Sequence, residues 1–372
     1  MLGLTEFKEL LKKEIVAVIA FLAAAISCLF APIVNYVDYI DTDLIGVLFG
    51  LMAVVAGFAE NNVFKKLTEL ILAAAGDTRR LADVLVMTVF FISMLITNDV
   101  ALIAFIPFTL MLYSEIGKSP VYVIVLQTIA ANLGSTLTPF GNPQNLYLFS
   151  VSKMTSAQFF GITLPVTAVS LGMLILSLLY IKKEPISLKS DHEKVKILNP
   201  RYLNLYAVLF ILCVLAVFDI VDTISVFASV CVVVAIIEPK IFSKVDYGLL
   251  VTFVCFFIFV GNIKNTPQIS EFMSGMIAGH EFESALAASQ IISNVPAAIM
   301  LSAFTDNWKA LLLGTDIGGL GTLIASLASL ITYKNYARSE NADTGRFMLV
   351  FTLMNVLFLA VLCIFAKLVL LS

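Results

Sequence analysis

The chain alternates long apolar runs with short polar connections along nearly its whole length. A helix of about 20 apolar residues crosses a hydrocarbon core of about 30 Å. The pattern therefore predicts an all-α polytopic membrane protein, with a short amphipathic connector at 67–76. The predicted spans are 15–35, 43–60, 120–151, 158–181, 202–218, 223–239, 247–263, 310–333 and 347–371.

Two further apolar stretches, 82–113 and 284–304, are each interrupted near the middle by polar residues. The interruption is Thr-Asn-Asp at 97–99 in the first stretch and Ser-Asn-Val-Pro at 293–296 in the second. The arms on either side are too short to cross, since about 13–15 residues make roughly 20 Å of helix. We therefore predict two re-entrant hairpins that turn near the midplane, where protein or water must satisfy the irregular backbone.

Each hairpin is followed by a broken transmembrane helix. When 132–138 and 316–322 are aligned without gaps, a polar residue, a glycine and a threonine recur at the first, third and seventh positions. Both halves then follow the order span, span, hairpin, broken helix, span, with opposite orientation. We predict an N-terminal inverted-topology repeat at 1–181 (hairpin 82–113, broken helix 120–151), a basic linker at 182–201, and a C-terminal inverted repeat at 202–372 (extra helix 202–218, hairpin 284–304, broken helix 310–333).

The basic residues predict the orientation, because cytoplasmic loops carry an excess of lysine and arginine. With a cytoplasmic N-terminus, only Lys153, Lys264, Lys309 and Lys367 of the 23 basic residues fall outside. The linker at 182–201 then lies in the cytoplasm and the C-terminus is external. In a bacterium this membrane is the plasma (inner) membrane.

The composition agrees with a bilayer environment: 60% of residues are hydrophobic and 13% are charged, whereas about a quarter are charged in soluble domains. A net charge of -3 without a basic stripe argues against a nucleic-acid partner. The five cysteines lie in apolar runs, and no Cys or His spacing indicates a metal. No cofactor is expected beyond a coupling ion.

The two hairpin turns and the two broken helices are predicted to converge at the midplane. A broken helix exposes N–H groups, which favour anions, and C=O groups, which favour cations. Inverted repeats with broken helices are typical of alternating-access transporters. Asp99 and Asp316 are the carboxylates predicted to lie deepest, where a charge costs at least about 2.5–3.5 kcal/mol. Each is expected to hold a cation or carry a proton, or alternatively to cap a half-helix.

Amides, hydroxyls and glycines complete the predicted site. Asn98 and Asn294 can donate and accept at equivalent turns, or can simply favour the turn. No lysine or arginine lies at the predicted midplane, so an anion would need helix N-termini, amides, hydroxyls and a co-bound cation. The predicted substrate and ion site comprises Thr97, Asn98, Asp99, Asn132, Gly134, Ser135, Thr138, Gly141, Asn142, Asn145, Ser293, Asn294, Asp316, Gly318, Gly319 and Thr322, with sodium near Asn98, Asp99, Asn294 and Asp316.

These motifs, in this order, resemble the ion transporter superfamily, which includes citrate and dicarboxylate transporters, arsenite permeases and a class of sodium–proton antiporters. The Gly-Asn-Pro-Gln-Asn run at 141–145 is most similar to the arsenite permease and citrate-transporter-like branch. The resemblance covers nearly the whole chain. It implies secondary active transport of a small anion, a carboxylate of the citrate type or a related oxyanion, coupled to sodium or protons, and a homodimer. Dicarboxylate members usually carry Ser-Asn-Thr at both hairpin turns, unlike 97–99 and 293–295 here.

Other functions stay open. Within transport, the alternatives are arsenite efflux in exchange for protons and sodium–proton antiport without an organic substrate. From a different class, an intramembrane aspartyl protease would use Asp99 and Asp316 as a pair. However, the Gly-Thr-Asp run at 314–316 is only loosely like the Gly-x-Gly-Asp of such enzymes, and no tyrosine precedes Asp99. We therefore expect a transporter and not an enzyme.

Overall fold

The computed structural model describes residues 15–29, 36–72, 76–186, 196–340 and 342–372. Within these ranges the fold is helical, with no strand beyond an isolated bridge between Asp77 and Pro185. The predicted all-α fold is confirmed. The N-terminal residues used for orientation, the end of the first predicted span, part of the 67–76 connector and the centre of the 182–201 linker lie outside the described residues.

Seventeen α-helices make up the described part of the chain. The first eight are α1 (Ile15–Cys28), α2 (Thr42–Glu60), α3 (Val63–Leu72), α4 (Thr78–Ile92), α5 (Asn98–Glu115), α6 (Val121–Ser135), α7 (Pro143–Ser152) and α8 (Ser156–Leu178). They are followed by α9 (Pro200–Val217), α10 (Thr223–Ile237), α11 (Tyr247–Lys264), α12 (Pro267–Ile277), α13 (Glu281–Ile292), α14 (Asn294–Leu301), α15 (Trp308–Gly318), α16 (Leu327–Ala337) and α17 (Thr344–Phe365). Two 3-10 turns (Tyr36–Tyr39 and Pro239–Lys244) and a π-turn (Ala366–Leu370) complete the set.

Five helices are long and apolar enough to cross a membrane: α2, α8, α9, α11, and α17 together with its π-turn. Helices α1, α6 and α10 are apolar but shorter. Large apolar side chains such as Leu176 and Leu353 point out of the protein and are more than 60% exposed, as expected for surfaces that contact lipid. The chain is thus a multi-pass membrane protein.

Aspartates in the polar connections cap five of the helices. Asp41, Asp77, Asp222, Asp246 and Asp343 each accept a hydrogen bond from a backbone N–H in the first turn of α2, α4, α10, α11 and α17 respectively. Aspartate is a preferred residue at this position because its carboxylate satisfies an N–H group that the helix leaves free. The acidic connections between apolar runs therefore have a local structural role.

Two hairpins and two broken spans recur in the two halves of the chain. The first hairpin is α4, residues 93–97 and α5; the second is α13, Ser293 and α14. The first broken span is α6, residues 136–142 and α7; the second is α15, residues 319–326 and α16. Whether the hairpins re-enter the membrane stays a prediction.

The hairpins pack in the same way in both halves. In the first, α4 and α5 lie along α6, and α5 also contacts α16. In the second, α13 and α14 lie along α15, and α14 also contacts α7. Each hairpin therefore contacts the first half of its own broken span and the second half of the other one. This shared packing supports a duplicated architecture, while the opposite orientation of the two halves stays a prediction.

Helix α12 lies where the sequence analysis predicts no element. It begins at Pro267, where the missing N–H of proline costs nothing. Only Ile277 of its residues is buried. The helix is therefore peripheral to the packing of the hairpins and broken spans.

Candidate functional site

The two hairpin turns share one backbone construction. In each, the asparagine side chain accepts a hydrogen bond from the N–H of the next residue: Asn98 Oδ1 from Asp99 and Asn294 Oδ1 from Val295, both at 3.0 Å. Ser293 alone separates the two helices of the second hairpin, and its φ of 75° is uncommon for a residue other than glycine. The asparagines thus hold the first turn of α5 and of α14.

A backbone hydrogen bond joins each turn to the interruption of its own broken span. The N–H of Asn98 donates to the carbonyl of Gly141 at 3.2 Å, and the N–H of Asn294 donates to the carbonyl of Ala325 at 3.0 Å. Gly141 and Ala325 directly precede the caps of α7 and α16. The alignment that pairs the broken spans in sequence therefore also pairs these contacts in space.

The two predicted threonines make a second matching pair of contacts. The hydroxyl of Thr138 donates to the Met94 carbonyl at 2.7 Å, and that of Thr322 donates to the Gln290 carbonyl at 3.1 Å. Thr322 is exposed and Thr138 is half-buried. Both hydroxyls tie a broken span to a hairpin, and a direct contact between either of them and substrate stays a prediction.

Glycines allow the hairpins to approach the broken spans closely. A Cβ at Gly134 would overlap the backbone carbonyl oxygen of Phe90 in α4. At the aligned Gly318, a Cβ would lie 2.8 Å from the hydroxyl oxygen of Ser289 in α13. Both contacts are closer than a side chain permits. These glycines therefore shape the site through backbone approach.

Asn132 joins the two broken spans. Its Oδ1 accepts hydrogen bonds from Asn98 Nδ2 at 3.1 Å and from the Ser326 hydroxyl at 2.9 Å. Its Nδ2 donates to the Gly319 carbonyl at 3.5 Å. A single buried amide on α6 thus contacts the first hairpin, the interruption of the second broken span and the cap of α16.

Asp316 occupies the aligned position of the second broken span and makes the reciprocal contact. Its Oδ1 accepts from Asn142 Nδ2 at 3.4 Å, and the same amide donates to the Ser135 hydroxyl at 3.2 Å. Asn142 caps α7 as Ser326 caps α16. Each cap therefore reaches the polar residue of the other repeat. We call Asn98, Asn132, Asn142, Asp316 and Ser326 the polar centre; all five are at least 95% buried.

Beside the turn and the interruption of the first repeat, two buried oxygens, Asp99 Oδ1 and Asn145 Oδ1, lack a hydrogen-bond partner among the described residues. The amide nitrogen of Asn145 donates to the carbonyls of Thr136 at 3.1 Å and Thr138 at 3.5 Å, which leaves its oxygen unused. An unsatisfied buried oxygen is costly. These acceptors are therefore suited to a bound cation or to a substrate that donates hydrogen bonds.

The base of the first hairpin is held by main-chain carbonyls that follow α8. Arg79 donates to the carbonyls of Ile181 at 2.7 Å and Leu179 at 2.6 Å. Nearby, Lys118 pairs with Glu184, and this hydrogen bond holds the pKa of the glutamate below its ordinary value. These contacts are far in sequence from the turn at 97–99, and they fix the open end of the hairpin.

The structure gathers most of the predicted site residues around the polar centre, and it adds two that the sequence analysis missed. Ser326 could have been found by extending the ungapped alignment to the partner of Asn142. Gln290 had no such signal, because its counterpart in the matching threonine contact is Met94. No lysine or arginine of the described residues takes part in the contacts of the polar centre.

A helical membrane protein whose two broken spans meet at a buried polar centre has the architecture of a secondary transporter. Known proteins point to the same class. The chain belongs to the citrate transporter family (CitMHS), whose family model matches residues 4–307. The resemblance to the ion transporter superfamily is thereby confirmed.

Individual relatives extend this assignment along the chain. An uncharacterized transporter of Methanocaldococcus jannaschii is 33% identical over 355 residues, which cover 93% of this chain and 96% of that protein. Inner membrane protein YbiR of Escherichia coli is 30% identical over 317 residues, 82% of each chain. The silicon efflux transporter LSI3 of Oryza sativa subsp. japonica is 32% identical over 141 residues, 38% of this chain and 29% of that protein. The family and these relatives point to transport.

Proposed function

We propose that this protein is a secondary active transporter of the plasma membrane that moves a small anion by alternating access, coupled to sodium ions or protons. The proposed substrate is a carboxylate of the citrate type or a related oxyanion. The observation that supports this most is the reciprocal contact of Asn132 with Ser326 and of Asn142 with Asp316. Through it, both broken spans and the first hairpin meet at one buried place.

The chemistry of the site suits an anion together with a cation. Helices α5, α7, α14 and α16 all begin at the hairpin turns or at the interruptions, and the positive end of a helix dipole favours an anion. The unpartnered oxygens of Asp99 and Asn145 attract a cation. A monovalent cation that moves down 100 mV supplies about 2.3 kcal/mol. Binding both partners in one place would couple their movements.

Purified protein in proteoliposomes tests this function. We expect uptake of radiolabelled citrate, or of a related oxyanion in a small panel, to rise when a sodium or proton gradient is imposed. Empty liposomes provide the background. Flux that ignores both gradients would refute coupled transport, and an absence of flux for every anion in the panel would refute the proposed substrate class.

Asp99→Asn separates binding chemistry from folding in the same assay. The change removes the charge of a buried acceptor while keeping its size, so we expect coupled flux to be abolished and the unfolding temperature to stay nearly unchanged. Asp43→Asn is the matched control, because Asp43 is an exposed carboxylate in the first turn of α2. Normal flux through the Asp99 variant would remove this residue from the mechanism.

A second candidate function is export of a small hydroxylated acid, such as arsenite, in exchange for protons. The polar centre has no basic side chain among the described residues, which favours a substrate that is uncharged near neutral pH. The partial match to a silicon efflux transporter supports the same class. Growth on arsenite, with and without the gene, tests this export. Proton release driven by sodium alone in vesicles would instead indicate sodium–proton antiport.

A further inference from the structure

Gln290, on the last turn of α13, contacts the interruption of the second broken span. Its Nε2 donates to the carbonyls of Gly318 at 2.8 Å and Leu320 at 2.9 Å. Its Oε1 accepts from the N–H of Thr322 at 2.9 Å. Apart from a longer contact between Nε2 and the Leu286 carbonyl of its own helix at 3.3 Å, the amide is therefore used on one short stretch of interrupted backbone.

The backbone of the second interruption leaves room for the Gln290 amide. Gly321 has a φ of 106°, a conformation that L side chains rarely adopt. A Cβ at Gly321 would also overlap Gln290 Oε1. Both the backbone conformation and the space at Gly321 thus accommodate the glutamine, which makes Gln290 a positioning residue of the second broken span.

The carbonyls that Gln290 satisfies are of the kind that attract cations. Helix α15 ends at Gly318, and the last carbonyls of a helix have no partner within it and carry a partial negative charge. In a protein that binds ions at broken helices, such carbonyls are the natural cation ligands. A neutral amide with two N–H groups satisfies Gly318 and Leu320 without any ion.

In the first repeat, a different side chain satisfies the carbonyls of the interruption. The hairpin residue in the position of Gln290 is Met94, whose side chain has no N–H group. Asn145 supplies the amide from the other side, and its own oxygen stays buried without a partner among the described residues. The first hairpin adds Asp99, whose counterpart in the second hairpin is the apolar Val295.

The two interruptions therefore differ in their capacity for a cation. The first keeps two buried oxygens without a partner, of Asp99 and Asn145, whereas the buried carboxylate of the second, Asp316, already accepts from Asn142. At the position of the second that aligns with Asn145, the unpartnered buried group is the Ser329 hydroxyl, which can also donate. We propose that Gln290 takes the place of a cation at the second interruption, so that a single coupling ion, in the first repeat, serves the transport cycle. The ion count rests on the proposed function; the role of the Gln290 amide does not.

Gln290→Glu tests the replacement directly. The variant keeps the oxygen that accepts from Thr322 but turns a second oxygen toward two carbonyls, an arrangement that needs a cation or a proton. Thermal unfolding of the purified protein would be measured at pH 8 and pH 5, in sodium chloride and in choline chloride of equal ionic strength. Gln158→Glu is the matched control, because exposed Gln158 caps α8 with an oxygen that glutamate retains.

At pH 8 in choline, we expect the Gln290→Glu variant to unfold below wild type. Sodium should raise its midpoint by roughly 2–4 °C more than it raises that of wild type or the control. Acidification to pH 5 in choline should also recover part of the loss. A variant that responds to sodium and to pH no more than the Gln158 control does would overturn the proposal.

Gln290→Met decides the matter if the glutamate variant cannot be purified. Methionine reproduces the first repeat at this position, so the freed carbonyls should lower the midpoint in choline and sodium should restore part of it. Wild-type stability in choline, or a loss that sodium does not reduce, would overturn the proposal. These measurements need no transported substrate, so they stand even if the proteoliposomes show no flux. If flux is coupled to an ion, its saturation by that ion should have a Hill coefficient of about 1, and a value near 2 in wild type would refute a single coupling ion.

Discussion

Removal of the Asn132 amide is the sharpest test of the polar centre. Asn132→Ala deletes the oxygen that accepts from Asn98 at 3.1 Å and from Ser326 at 2.9 Å. A buried donor left without a partner costs about 1–3 kcal/mol in soluble proteins, whereas hydrogen bonds between membrane helices average about 0.6 kcal/mol. Because Asn98 Nδ2 and the Ser326 hydroxyl both lose their acceptor, we expect the variant to lose about 1–3 kcal/mol of unfolding free energy.

A double-mutant cycle separates this contact from general packing. Ser326→Ala alone removes the other partner, and the double variant should recover about 1 kcal/mol relative to the sum of the single changes. Reversible unfolding in SDS, followed by the circular dichroism of the helices, measures all four proteins. Ser229→Ala is the control partner, because its exposed hydroxyl bonds only within α10.

The cycle with Ser229 should be additive within about 0.3–0.5 kcal/mol. If the cycle with Ser326 is equally additive, the reciprocal contact between the broken spans contributes nothing measurable. The inference that the two repeats meet through Asn132 would then be wrong, whatever the size of the single-variant losses.

Two further changes test close backbone approaches. Gly134→Ala should destabilise the protein by about 1–3 kcal/mol, because the added carbon overlaps the Phe90 carbonyl. Gly161→Ala is the control and should be nearly neutral in the same unfolding measurement, because no atom lies within 4 Å of the added carbon. Equal losses in the two variants would contradict the close approach of α4 to Gly134. Gly57→Ala should lower the unfolding temperature by displacing the buried ring of Tyr206. The added change Tyr206→Leu should restore part of the lost unfolding temperature. No recovery would show that the Tyr206 ring does not clash with the added carbon.

Much of the fold could be predicted because a polar interruption within an apolar run is a strong signal. Such interruptions drew attention to 97–99 and 293–296, and the structure has helix boundaries at both. The ungapped alignment of Asn132 with Asp316 likewise anticipated residues that contact the caps of the opposite repeat. Both inferences use local chemistry, since polar groups among apolar neighbours need a partner wherever the helices lie.

The side-chain partners could not be predicted in the same way. Ser326 is an ordinary polar residue until the packing of α6 beside α16 brings it to Asn132. Gln290 lies near the end of a hairpin arm, and only the course of residues 318–322 shows what its amide does. Helix α12 was missed because its eleven residues are too few to span a membrane, so a search for long apolar runs does not detect it. Partnership across the fold depends on tertiary register, which hydropathy does not contain.

The hydrogen bonds of Arg79 at the open end of the first hairpin have a consequence for sequence variation. Arg79 binds the carbonyl oxygens of Leu179 and Ile181, and any amino acid at those two positions would offer the same oxygens. A saturation-mutagenesis library should therefore tolerate most replacements at the exposed Leu179 and apolar replacements at Ile181, which packs against the core, while rejecting most at the arginine. The side chain at position 179 can therefore vary during evolution, provided that the chain keeps its path past the guanidinium group.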